Sequence, residues 1–151
     1  MPAWFRKRDW AVSIDYQATA FLPAEAGLTG VDVAQKSFSI KVSNAARALM
    51  ECLYMAPEKQ DMMECFQLME NLNNLRPDAV QTLLEACRSV KVKRLFLYMA
   101  ERAKHDWFAH LNVAQIDLGR GKRRIASNGV YVPKYQITVP RELAGNDAAS
   151  L

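Results

Sequence analysis

Four successive blocks between Ser43 and Ala103 place their apolar residues at helical spacing, and this limits the folds open to the chain. Ala46, Leu49, Met50 and Leu53 fall at i, i+3, i+4 and i+7. So do Val80, Leu83, Leu84 and Cys87, and again Val92, Leu95, Phe96 and Met99, while Met62, Phe66, Met69 and Leu72 mark a further helix. The spacing puts each set on one face, which must be buried against the other helices. Ser43 suits the N-cap of the first helix and Pro57 ends it. Asn73-Asn74 stop the second, and Pro77 fits the first turn of the third, where its missing N–H costs nothing. The fourth is expected from about Lys91 to Ala103, with a short turn at Trp107-Phe108 and Leu111.

On both sides the period changes to two. Trp10, Val12, Ile14 and Tyr16 alternate with Ala11, Ser13, Asp15 and Gln17, the pattern of a half-buried strand. Phe38, Ile40 and Val42 alternate with Ser37, Ser39 and Lys41. Val31 and Val33 predict a short strand before them, joined through Ala34-Gln35-Lys36. Near the other end, Asn128-Gly129 between Arg123–Ser127 and Val130–Val132 predicts a type I′ hairpin. Tyr135, Ile137 and Val139 then form a strand that Pro140 closes. The expected fold is α+β: N-terminal strands, a central bundle of about four helices, and a C-terminal hairpin and strand packing with the N-terminal sheet. At 151 residues this makes one domain over 1–143, with 144–151 as a flexible tail of small and polar residues.

Half of the chain is apolar and 24% is charged, which excludes global disorder. No apolar run approaches the ~18–20 residues of a membrane span, and no apolar stretch follows the basic N-terminus as in a secretory signal. Cys52, Cys65 and Cys87 sit at apolar helix positions without metal spacing, which predicts reduced, buried thiols in a cytoplasmic protein.

Charge is unevenly placed. Arg88–Arg124 holds ten Lys/Arg against three acids, a balance of +7, while the other residues sum to −3 and the whole to +4. Within this stretch Lys91, Arg94, Tyr98 and Arg102, at i, i+3, i+7 and i+11, form a basic stripe beside the apolar one. Such a stripe can meet phosphates or an acidic protein surface, or serve as a solvated face whose long stems cover apolar surface. Gly119-Arg120-Gly121-Lys122-Arg123-Arg124 is the sharper signal. Its glycines permit close approach, and three successive cations entering a strand must face both sides, so at least one side is wet or bound. The expected binding face comprises Lys91, Arg94, Tyr98, Arg102, Arg120, Lys122, Arg123 and Arg124.

Patterns for catalysis are missing. His105 and His110 are five apart with no Glu between them, which does not fit helical zinc ligands, so packing roles are expected. There is no nucleophile elbow and no Walker or dinucleotide glycine pattern. A magnesium nuclease would need Asp15, Asp32 and Lys36 to converge. No cofactor or metal is expected, and the five methionines Met50, Met62, Met63, Met69 and Met99 read as core fillers.

Several phrases nonetheless resemble a known family. They are Ser43-Asn44-Ala45-Ala46-Arg47-Ala48, Leu72-x-x-Leu75-Arg76-Pro77, Cys87 to Leu97, Ile116-Asp117-Leu118-Gly119-x-Gly121-Lys122-Arg123, and Tyr135-Gln136-Ile137-Thr138-Val139-Pro140. Together they resemble the C-terminal domain of the AbiEi antitoxins of bacterial type IV toxin–antitoxin, abortive-infection systems. The resemblance covers nearly the whole chain. Its most specific parts are the Lys-Arg-Leu-Phe-Leu helix and the Leu-Gly-x-Gly-Lys-Arg loop. It implies a non-enzymatic protein that counteracts an AbiEii nucleotidyltransferase toxin without a tight complex. A full-length member would also carry an N-terminal winged helix-turn-helix that binds the operon's promoter. Here only a short lead precedes Trp10, so the resemblance is expected to span the antitoxin domain alone. The alternative reading is a stand-alone nucleic-acid-binding module working through the basic helix and hairpin, with no membrane partner.

Overall fold

The computed structural model describes residues 2–33 and 37–145. In chain order it contains α1 (Ala3–Lys7), β1 (Leu28–Asp32), β2 (Ser39–Ser43), α2 (Ala45–Met55), α3 (Met62–Glu70), α4 (Pro77–Ala86) and α5 (Val90–Arg102). Two 3₁₀ turns (Asp106–His110 and Val113–Gln115), β3 (Arg123–Arg124), β4 (Val130–Val132), β5 (Ile137–Val139) and α6 (Arg141–Ala144) follow. The class is α+β, with helices between two small sheets.

The helical punctuation works with one shift. Asn44, not Ser43, caps α2: its side chain accepts the Arg47 N–H at 2.9 Å. Ser43 ends β2 instead and donates its hydroxyl to Glu51 at 2.9 Å. Asp61 caps α3 by accepting from Met63 and Glu64, satisfying two N–H groups that have no partner inside the helix. Pro77 opens α4, and Ser89 caps α5. Each expected apolar face of α2 and α4 is buried, and Met50, Met62, Met69 and Met99 fill the core. Helix α5 is the hub. It packs against α2 and α3, and every residue from Val92 to Ala100 is buried.

The β regions depart from expectation in three ways. Residues 10–16 form no strand, and Val12, Ile14 and Tyr16 stay exposed. Strands β1 and β2 do form an antiparallel ribbon, but it is a separate sheet from the C-terminal one, sharing no strand with it. Finally, Asn128-Gly129 does not join paired strands. Strand β5 inserts between β3 and β4, pairing parallel with β3 and antiparallel with β4. The reason is burial. Ile137 and Val139 of β5 are fully buried while Arg123 and Arg124 of β3 are exposed, so the apolar strand takes the centre and the basic one an edge. The hairpin present joins β4 to β5 through Pro133–Gln136.

Chain ends follow the same logic. Ala144, which composition assigns to a tail, is buried at the end of α6. The rest of that expected tail, 146–151, lies outside the described residues, as does the expected 34–36 connection.

Candidate functional site

The eight residues expected on one basic face divide into two groups. The four from α5 point inward and bind backbone carbonyls. Arg94 is 2% exposed. Its Nε donates to Leu118 O at 2.8 Å, and its Nη1 donates to Gly121 O at 2.7 Å and to Gln136 O at 3.2 Å. One planar guanidinium thus ties both ends of the glycine loop and the β4–β5 turn to the central helix. Burial pulls its pKa down, and neighbouring Arg123 pulls the same way.

The others act alike. Lys91 donates to Tyr54 O at 2.7 Å and Ala56 O at 2.6 Å, closing the end of α2, and burial lowers its pKa. Tyr98 is buried, and its hydroxyl donates to Leu143 O at 3.4 Å. Arg102 donates to Ala144 O at 3.0 Å. Tyr98 and Arg102 therefore hold α6 down. The expected basic stripe is a seam: its donors bond backbone carbonyls at the end of α2, in the glycine loop, in the β4–β5 turn and in α6.

The loop group is different. Arg120, Lys122, Arg123 and Arg124 are all exposed. Gly119 and Gly121 both have φ in the left-handed region, at 65° and 79°, so the backbone turns sharply on each side of Arg120. A Cβ on Gly119 would lie 2.7 Å from a methyl of Val90, so the loop also sits tight on α5. Asp117 accepts the Gly119 N–H at 2.8 Å. Beyond the loop, Lys122 lies 5.1 Å from the centroid of the Tyr131 ring, and Arg124 bonds Ser127 O. Arg123 N–H donates to Gln136 O at 2.8 Å. Four cations thus project from a short turn and an edge strand whose position is set from below by Arg94.

Sequence reasoning missed this support. Successive helical positions rotate by 100°, which places Val90 and Leu97 opposite the Val92–Met99 stripe and beside Arg94. Apolar residues on both sides of a helix signal burial all round, and Leu97 is fully buried. A second polar tie was also hidden. The Tyr135 hydroxyl donates to Glu101 at 2.8 Å, Lys134 pairs with the same carboxylate, and burial pushes the Tyr135 pKa up.

A family model described as "Transcriptional regulator, AbiEi antitoxin, Type IV TA system" matches residues 1–140. The chain belongs to the AbiEi antitoxin family. No curated protein and no solved structure matched it. Membership of this family of antitoxins and transcriptional regulators implies a toxin counterpart. Among the described residues no helix is long and apolar enough to cross a membrane, and no group of three or more His, Cys, Asp or Glu is placed to hold a metal.

The remaining expected sites fall as follows. His105 bonds Met69 O at 2.6 Å and stacks on Trp107, whose indole N–H donates to Leu72 O, a packing role as expected; His110 is exposed. Asp15 accepts from Gln17 in the irregular N-terminal segment and Asp32 ends β1, while Lys36 lies outside the described residues. The cysteines are free thiols; Cys65 and Cys87 are buried and Cys52 partly so, and burial pushes the Cys65 pKa up to about 12.

Proposed function

We propose that residues 1–143 act as one antitoxin domain that performs no chemistry and counteracts a nucleotidyltransferase toxin of the AbiEii type. Its working face is the cluster Arg120, Lys122, Arg123 and Arg124. The observation that carries this reading is that four exposed cations share one short, pinned turn. Solvated surface charge does not need a buried arginine bonded to three carbonyls beneath it, whereas a fixed recognition loop does. The ligand side is anionic: nucleic-acid phosphate, or the acidic surface of the target on which toxin and antitoxin converge. Lys91, Arg94, Tyr98 and Arg102 leave the proposed contact set and become its supports.

The test is a growth-rescue assay with co-expressed toxin. Reversing charge at Arg120, Lys122 and Arg123 together is expected to abolish protection while the far-UV spectrum and melting temperature stay unchanged. Full protection by the folded variant refutes the proposed face. The alternative, a module that binds nucleic acid by itself, has support from the Lys122–Tyr131 pair, a cation beside a half-buried ring of the kind that meets phosphate and base. It predicts an affinity that falls steeply with salt as phosphate contacts release counterions, and an absence of binding at low salt removes it.

A further inference from the structure

Two parts of the chain carry an exposed apolar side. In the β1–β2 ribbon, the registered pairs Thr29–Val42 and Val31–Ile40 share one face, and Gly30–Lys41 and Asp32–Ser39 share the other. The first face is the apolar one, yet Val31, Ile40 and Val42 are 43%, 47% and 36% exposed. In the N-terminal arm Val12, Ile14 and Tyr16 alternate with polar residues and are 68%, 45% and 49% exposed, though they belong to no strand. These arm residues, with Phe5 and Trp10, line an open groove that also carries Arg6 and Arg8.

Each part has the pattern of a sheet with one dry side, and neither has its dry side. A two-stranded ribbon is marginal in water, and a third strand with a shared apolar face is what stabilises it. The arm stretch 12–16 has the five-residue length of β1 and β2 and supplies three apolar side chains at the matching period.

We propose that the arm of one copy and the ribbon of a second copy cover each other, forming a reciprocal homodimer. Each copy holds one strand to give and one ribbon to receive, so a two-fold pairing closes and leaves neither exposed. The area agrees. Val12, Ile14, Tyr16, Val31, Ile40 and Val42 together expose roughly 600 Å² per copy, near the lower end of the area that each partner of a stable interface buries.

Sedimentation equilibrium of the whole chain at micromolar concentration tests this. The unaltered chain is expected to be dimeric. Ile14→Asp in the arm and Ile40→Lys in the ribbon, both at exposed positions, are each expected to weaken dimerisation by about tenfold or more with an unchanged far-UV spectrum. An equimolar mixture of the two variants is expected to regain the dimer. One intact arm then meets one intact ribbon, and Asp at 14 faces Lys at 40 in the other contact. A monomeric unaltered chain overturns the proposal, whether the arm folds back on its own ribbon or another protein covers it. So does a dimer that survives either substitution, or a mixture that stays monomeric.

Discussion

Two sets of cations lie within one 37-residue stretch and meet opposite fates. Lys91, Arg94 and Arg102 of α5 bond backbone carbonyls of distant segments, while the cations of the Gly119–Arg124 turn are exposed and Arg124 bonds the nearby Ser127 carbonyl. The residue types are alike; what differs is what lies opposite. Helix α5 is enclosed by α2 and α3 on one side and by the loop and C-terminal segment on the other, so Arg94 and Tyr98 find their partners inside. The turn leads into the edge strand of a three-stranded sheet, where its four cations are exposed. An arginine is therefore a buried clamp or an exposed cation according to its neighbours, and counting positive charge merges the two.

The comparison breaks most visibly at Arg94. Arg94→Met leaves the carbonyls of Leu118, Gly121 and Gln136 without this donor, and is expected to cost about 3 kcal/mol in urea unfolding. Arg94→Lys should recover only part, because a point donor cannot span three acceptors. A loss under about 0.5 kcal/mol for Arg94→Met would place Arg94 with the exposed group. The contact between the two sets is the next lever. Gly119→Ala meets both a left-handed φ and the stiff Val90 side chain, and is expected to cost about 2 kcal/mol. Gly121→Ala has the φ but open space, and about 1 kcal/mol is expected. Equal losses in the two melting curves would show that the loop does not rest on α5.

Alkaline pH probes the buried side alone. The folded-state pKa values of Cys65 and Tyr135 are raised above their ordinary 9.0 and 10.0. The stability tied to them is therefore complete below those unfolded values, and is lost as pH rises and the unfolded chain deprotonates first. For Cys65 the window runs from about pH 9 to about 12, with a slope no steeper than about 1.4 kcal/mol per pH unit. Cys65→Ala is expected to flatten the fall in urea midpoint across that window. An identical slope in the variant would rule out the thiol as its source. The smallest effect belongs to the turn. Arg120→Ala, Lys122→Ala and Arg124→Ala are each expected to change stability by less than about 0.5 kcal/mol. A larger loss in any of them would reveal a structural bond where a free binding group is proposed.

Local patterns were legible wherever one residue's conformation depends on its near neighbours. The four main helices, the Pro77 start, the buried methionines and the Ile137–Val139 strand were all readable, and the family resemblance rested on those same helix and loop phrases. The Asn128-Gly129 signal misled because turn chemistry states that the chain can reverse there, not which strand will lie beside which. The period-two run at 10–16 misled for a related reason: alternation permits a strand, but a strand also needs an edge to bond. Arg94 could have been suspected from Val90 and Leu97 on its own side of the helix. The three carbonyls it binds could not, because they arrive from 24, 27 and 42 residues away.

By itself, then, the sequence determined the α+β order of elements, the apolar face of each helix and the concentration of charge between Arg88 and Arg124. All of these follow from spacings of a few residues and from composition. Only the tertiary structure decided which of those charges are available. Burial of a cation depends on carbonyls delivered by distant segments, and the order β3-β5-β4 depends on the most apolar strand taking the centre. Lys91, Arg94, Tyr98 and Arg102 became supports because the end of α2, the loop and α6 meet them. Arg120, Lys122, Arg123 and Arg124 stayed exposed because they lie on a turn and an edge strand.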